Sequence, residues 1–234
     1  MASRIKNMTE GKPLSLIFTF ALPLMIGNVF QQLYTVVDTM VVGKALGVNA
    51  LAALGAADWM NWMMLGIVQG LTQGFGILMA QKFGAGMKED LRKVIGNSAH
   101  LSLISSLILL LVGQLLARPV LGLLQTPAEI MDNALLYLRI MYLGIPVVMA
   151  YNLLACILRS LGDSQTPLHA MIVAAIVNIV LDLLFVLGFG LGIGGAAAAT
   201  LIAQVVSCFF CFYHVRKLEL ITLTLSDFRL QKGL

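Results

Sequence analysis

The sequence predicts an all-α membrane protein in which six transmembrane helices form one lobe. Of its 234 residues, 59% are hydrophobic and only 11% are charged, and the mean hydropathy is +0.93. Soluble domains carry about 25% charged residues, so this composition indicates a chain that lies largely in lipid. Six apolar segments of spanning length and an uneven distribution of basic residues support the same fold class.

A helix needs about 20 apolar residues to cross the hydrocarbon core of a bilayer. The segments that meet this length are Leu14–Val42, Leu51–Ala80, Val94–Ala117, Ala134–Leu158, Leu168–Leu187 and Ala196–Val215. They predict a cytoplasmic N-terminal tail at residues 1–13 and a six-helix lobe at residues 14–217. We expect residues 218–234 to begin a cytoplasmic connector to a second lobe that this sequence does not contain.

The basic residues predict the orientation of these helices. Twelve of the fifteen lie in the two tails, the second loop and the end of the fourth span, and only Lys44, Arg118 and Arg139 lie on the other side. The positive-inside rule therefore places both termini in the cytoplasm, and we expect a multi-pass protein of the inner (cell) membrane. Because the bases form no aromatic-studded stripe, a nucleic-acid partner is not expected. No nucleophile–base pair or zinc spacing occurs in the sequence, so we expect no enzymatic activity and no cofactor.

The fifth span carries two polar residues at a depth where polar groups are costly. Asn178 and Asp182 are four residues apart, so on a helix they lie on one face, about 6 Å apart along the axis. An ionised acid at the centre of a membrane helix costs about 2.5–3.5 kcal/mol on insertion scales. Such a residue is tolerated where it has a partner, water or a proton, which makes Asp182 a candidate functional residue.

Polar residues of three other spans are predicted at a similar depth. Asp38 lies near the outer end of the first span, Asp58 about 10 Å from the outer side of the second, and Thr200 about 6 Å below the outer surface of the sixth. With Asp182 they share one leaflet and could face each other, although the sequence assigns no role to Asp58.

A polar stripe precedes Asp38 on the first span. Asn28, Gln31, Thr35 and Asp38 follow helical spacing and line one face, which we expect to point at other helices or at a cavity. Pro23 removes a backbone hydrogen bond upstream of this stripe and predicts a kink that could act as a hinge.

Glycines repeat every four residues in the second span. Gly66, Gly70 and Gly74 form two overlapping small-xxx-small units, a pattern that predicts close packing against another helix.

Several stretches together resemble the N-terminal lobe of transporters of the multidrug and toxic compound extrusion (MATE) family, over nearly the whole chain. They are Ala21–Pro23, Gln31–Asp38, Val42–Gly47, Ala50–Gly55, Leu158–Asp163 with Thr166 and Pro167, Asn178 with Asp182, and Gly194–Thr200. Any one of these stretches is weak, but their combination in order on six spans is specific.

The resemblance implies a secondary antiporter that exports cationic, amphiphilic drugs or metabolites in exchange for Na⁺ or H⁺. In the branch of the family whose coupling acids lie in the N-terminal lobe, the matching cation-binding positions are Asp38, Asn178, Asp182 and Thr200, with Pro23 at the bend. The residues do not decide between the two ions, and beyond Na⁺ at these positions no metal is expected.

The chain departs from the family in having one lobe, whereas the family has two lobes with the substrate cleft between them. One hypothesis is that a separately encoded C-terminal lobe, or a second copy of this chain in a dimer, completes the cleft. Another is that the chain is a truncated lobe or assembly module that does not transport. A further alternative is a flippase of the same superfamily that moves a lipid-linked sugar.

Overall fold

The computed structural model describes residues 12–217, which form a bundle of helices without strands in that range. Its helices are α1 (Pro13–Leu46), α2 (Val48–Gly84), α3 (Lys88–Leu123), α4 (Ala128–Leu143), α5 (Ile145–Ser160), α6 (Gln165–Asp182) and α7 (Gly192–Arg216), with a π-helical segment (Leu183–Gly188) after α6. Residues 1–11 of the predicted tail and the predicted connector at residues 218–234 lie outside the described residues.

By length and composition, five helical segments of the described residues can cross a membrane, and α4 and α5 qualify as a sixth when they are counted together as one bent span. The predicted six-span, all-α membrane fold is therefore confirmed. Most helices extend several residues beyond the predicted spans, because helices continue past the hydrocarbon core. The α1–α2 connection shows this clearly, since only Gly47 separates the two helices. Gly47 has φ +81°, a left-handed conformation that a residue without a Cβ adopts at little cost.

The fourth span is broken; the sequence predicts a single span there, with Pro146 inside it as either a kink or an ordinary membrane proline. α4 and α5 meet at Gly144 with a bend of 47°. Pro146 lies in the first turn of α5, where its missing N–H would have no helical partner in any case. A Cβ on Gly144 would come 2.0 Å from Leu201 Cδ2, so the bend presses the backbone against α7.

By contrast, α1 continues as one helix through Pro23. It packs mainly against α6, with fewer contacts to α2 and α7. α6 and α7 form the most extensive pair, and α5 packs between α2, α3 and α7. The helices that carry Asn178, Asp182 and Thr200 are therefore held firmly together, while α1 lies at the side of the bundle.

The predicted packing motif in α2 is wrong for the described part of the chain. A Cβ on Gly66, Gly70 or Gly74 would meet no atom within 4 Å. The close approach occurs instead at Gly76, where a Cβ would come 2.2 Å from the Sγ of Cys156 on α5. Gly76 lies half a turn from Gly74, and only its side of α2 faces α5.

Candidate functional site

The four predicted cation-site residues are all buried. Their exposed fractions are 6% for Asp38, 1% for Asn178, 0% for Asp182 and 8% for Thr200. α1 supplies the first, α6 the next two and α7 the last. Asp38 lies eight residues before the end of α1 at Leu46, and Thr200 lies eight residues after the start of α7 at Gly192, about 12 Å along each helix axis. The electrostatic interaction between Asp38 and Asp182 shows that their carboxyl groups are near each other.

A hydrogen bond joins the two helices that carry the cluster. Asn178 Nδ2 donates to Thr200 Oγ1 at 3.3 Å, within a buried environment. This bond commits the amide nitrogen to Thr200, so the other end of the amide presents Oδ1 to its surroundings. The bond therefore leaves an acceptor oxygen free on α6, one helical turn before Asp182.

The cluster is rich in acceptors that lack donors. Among the described residues, no hydrogen-bond partner reaches Asp38 Oδ1, Asn178 Oδ1 or either carboxylate oxygen of Asp182. Buried polar atoms are normally paired, because an unmade hydrogen bond costs about 1–3 kcal/mol. These unpaired atoms are all oxygens that accept, so protonation of a carboxyl group or binding of a cation with oxygen ligands would supply partners that they lack.

Gln204 adds a buried acceptor that the sequence analysis missed. Its Oε1 also lacks a partner within the described part of the chain, and it lies one turn beyond Thr200 on α7. The spacing of four residues between Thr200 and Gln204 would have revealed the shared helix face.

A cavity of about 730 Å³ opens beside the cluster. The polar stripe of α1 lines it: Asn28, Gln31, Thr35 and Asp38. Pro23 and Thr200 also lie on its wall, whereas Asn178 and Asp182 do not and are buried behind it. The predicted set thus occupies two layers, with Asp38 and Thr200 at the cavity wall and the α6 pair beneath.

Further residues of the cavity wall were not assigned a role from the sequence. Asp58 of α2 is partly buried on this wall, and it interacts electrostatically with Asp38. Tyr34 of α1 and Tyr137 of α4 line the same wall, and Tyr137 lies within electrostatic range of both carboxyl groups. Tyr34 lies three residues after Gln31 and four before Asp38, so helical spacing would have placed it on the polar face of α1. Tyr137 carries no such signal, and only the packing of α4 against α2 brings it to this wall.

A helical membrane lobe that combines an internal polar cavity with buried, unpaired acids has the architecture of one half of a repeat-built secondary transporter. The MatE family model matches residues 23–184 of this chain. The chain therefore belongs to the MatE family, as the sequence resemblance predicted. Members of this family are transporters.

Similar curated proteins are multidrug resistance and export proteins of bacteria. The probable multidrug resistance protein YoeA of Bacillus subtilis is 32% identical over 202 residues, which cover 85% of this chain and 44% of that protein. The multidrug export protein MepA of Staphylococcus saprophyticus is 28% identical over 211 residues, covering 90% of this chain and 47% of that protein. The chain thus spans about half the length of the curated relatives it matches.

Solved structures show the same relationship. A crystal structure of MATE in the straight conformation superimposes with a TM-score of 0.87 at 30% identity, covering 95% of this chain and 50% of that one. The bent conformation of MATE gives a TM-score of 0.85 at 31% identity. The described residues therefore have the fold of one half of a MATE transporter.

Proposed function

We propose that this chain is the cation-coupling lobe of a multidrug efflux antiporter. It exports cationic, amphiphilic compounds in exchange for Na⁺ or H⁺ when a second lobe completes the substrate cleft. The observation that carries this proposal is the set of buried, unpaired acceptor oxygens on Asp38, Asn178 and Asp182. The proposal includes a location in the cell membrane with both termini in the cytoplasm, which follows from the basic residues.

Cation binding would act across the boundary between α1 and the α6–α7 pair. Asn178 and Thr200 belong to the firmly packed pair, whereas Asp38 belongs to α1. A proton or Na⁺ held between Asp38 and Asp182 removes the repulsion between the two carboxylates and favours a closer approach of α1. Pro23 interrupts the backbone hydrogen bonds of α1 fifteen residues before Asp38, so we propose that α1 adjusts there.

The cavity suits small organic molecules. Its volume of about 730 Å³ lies within the range of about 300–1,000 Å³ that is common for ligand pockets. Its wall mixes amides and hydroxyls with apolar and aromatic side chains, and the similar proteins are named for multidrug resistance or export. Such a mixed wall can bind varied amphiphilic compounds.

A second lobe is part of the proposal because repeat-built transporters work by moving one half against the other. The partner could be a separately encoded C-terminal lobe or a second copy of this chain in a dimer. The cavity wall does not favour an anionic lipid-linked sugar, since two carboxylates line it and Arg159 is the single base among the described lining residues.

The test is drug efflux from cells that express this chain together with the C-terminal half of a MATE relative. Wild-type lobe should confer resistance to a cationic dye such as ethidium and lower its accumulation, and Asp38→Asn and Asp182→Asn should each abolish both effects. Asp132→Asn, which removes an exposed carboxylate outside the cavity wall, should leave efflux unchanged. Wild-type efflux by either Asp38→Asn or Asp182→Asn, at equal membrane abundance, would rule out the coupling assignment.

A further inference from the structure

Asp58 is the acid of this cavity that neither the sequence motifs nor the proposed coupling site uses. It lies on α2, lines the cavity and is partly buried, whereas Asp38 is 6% exposed and Asp182 is fully buried. A bulky organic ion in the cavity could therefore reach the Asp58 carboxylate, but it could not enter the layer that holds Asp182.

No described residue forms an ion pair or a hydrogen bond with the Asp58 side chain. The ion pairs found among residues 12–217 are Lys82–Asp90 and Lys93–Glu89, both outside the cavity wall. The cavity's single described base is far from Asp58. Cys156, one turn before Arg159 on α5, donates its Sγ–H to Thr72 O, and Thr72 lies fourteen residues from Asp58 along α2. That separation is about 21 Å along the helix, so Arg159 does not neutralise Asp58.

Asp38, which the proposed coupling pair also uses, adds a second carboxyl group at the same end of the cavity. Asp38 is more than nine-tenths buried, its Oδ1 has no described hydrogen-bond partner, and it lines the cavity beside Asp58. Two neighbouring carboxyl groups without a counter-charge give this end of the cavity an excess of negative potential when Asp58 is ionised.

Three aromatic side chains line the same cavity as this acidic end, and Trp62 among them is exposed. Trp62 follows Asp58 by one helical turn and lines the same cavity, as do Tyr34 and Tyr137. The Tyr137 hydroxyl lies within electrostatic range of Asp38, Asp58, Tyr34 and Asp182. Aromatic faces attract ammonium and phosphonium ions at distances up to about 6 Å, and tryptophan does so most strongly.

We propose that Asp58, with Trp62, Tyr34 and Tyr137, forms the recognition site for the positive charge of an organic cation, separate from the coupling pair Asp38 and Asp182. The proposal rests on the proposed function and assigns a residue to the selection of its substrate class. It also assigns two functions according to burial: the partly exposed Asp58 contacts the substrate, and the fully buried Asp182 contacts the coupling ion.

The experiment measures binding of radiolabelled tetraphenylphosphonium, a permanent cation, to the purified chain in nanodiscs. Triphenylphosphine oxide serves as a neutral probe of similar shape. Asp58→Asn is compared with wild type, with the charge-retaining Asp58→Glu, and with Asp132→Asn as the matched control outside the cavity. Trp62→Leu tests the aromatic contribution while keeping an apolar side chain.

We expect Asp58→Asn to bind tetraphenylphosphonium about tenfold more weakly and to bind triphenylphosphine oxide as wild type does. Asp58→Glu should retain most of the affinity, and Trp62→Leu should lose part of it. The coupling ion should stabilise Asp58→Asn against thermal unfolding as it does wild type.

Equal binding of the phosphonium by wild type and Asp58→Asn would overturn this inference and leave the proposed function standing. Absence of phosphonium binding by the wild-type chain would also overturn this inference, whereas the proposed function, which needs a second lobe, is tested by the efflux experiment above. Loss of the coupling-ion effect in Asp58→Asn would overturn the separation of the two sites.

Discussion

Asn178 Nδ2 donates a hydrogen bond to Thr200 Oγ1 at 3.3 Å, and this contact fixes the α6–α7 pair at the depth of the acidic cluster. Asn178 Oδ1 meanwhile has no hydrogen-bond partner among the described residues. The same hydrogen bond thus contributes to stability and leaves Asn178 Oδ1 available to accept a ligand.

Thr200→Val should destabilise the protein and weaken cation binding. Valine has nearly the shape of threonine, but it removes the acceptor and leaves the buried Asn178 amide unpaired, at a cost of about 1–3 kcal/mol. Thermal unfolding in nanodiscs measures the change. Thr19→Val is the control, because Thr19 is exposed on α1 and its hydroxyl bonds only to its own helix, at Ser15 O. Equal destabilisation by both variants would show that the Asn178–Thr200 hydrogen bond contributes no more to stability than the Thr19 bond within α1.

Asp182→Asn should abolish stabilisation by the coupling ion. A ligand that binds only the folded state adds about 2.7 kcal/mol at a hundred times its dissociation constant. The thermal midpoint of wild type should rise when NaCl replaces choline chloride if Na⁺ couples, or change with pH if H⁺ does. Asp132→Asn should keep the response, and a full response in Asp182→Asn would contradict the site.

Asp163 should matter for the position of α6 although it lies outside the cavity. Its Oδ1 accepts the backbone N–H groups of Gln165 and Thr166 at 3.1 and 2.9 Å, and its Oδ2 accepts the Thr166 hydroxyl at 2.6 Å. We expect Asp163→Ala to lower stability by about 0.5–2 kcal/mol, the usual cost of losing such a cap. Asp163→Asn retains one acceptor oxygen and should recover part of the loss. Wild-type unfolding of Asp163→Ala would contradict this account.

Gly76→Ala and Gly74→Ala form a matched pair within one turn of α2. A Cβ at position 76 would lie 2.2 Å from Cys156 Sγ, whereas one at position 74 would meet nothing within 4 Å. Gly76→Ala should therefore cost about 1–3 kcal/mol through overpacking, and Gly74→Ala should be neutral or stabilising by up to about 1 kcal/mol through helix propensity.

Adding Cys156→Ala to Gly76→Ala tests whether the sulfur of Cys156 causes the destabilisation expected for Gly76→Ala. Removing the sulfur leaves Cys156 Cβ at 3.9 Å from the new methyl group, an ordinary contact. The double variant should therefore be more stable than additive single effects predict. Strict additivity in thermal unfolding would show that the sulfur is not the obstacle.

The sequence by itself determined the membrane class, the six spans, the family and the polar residues worth following. Lipid requires long apolar runs and penalises every buried charge, so spans and exceptional residues such as Asp38 and Asp182 are visible in one dimension. The helix period also put Asn178 and Asp182 on one face of α6 and the polar stripe on one face of α1.

Only the tertiary structure decided which of these faces meet. It placed Asp38 and Thr200 on the cavity wall with Asn178 and Asp182 behind, and it brought Asp58 and Tyr137 together from helices whose sequences carry no mutual signal. It also broke the fourth span at Gly144 and moved the close glycine contact from Gly74 to Gly76. Contacts between helices depend on the rotation of each helix about its axis, and in a chain apolar on nearly every side that rotation is set by packing against neighbours rather than by the hydrophobic pattern.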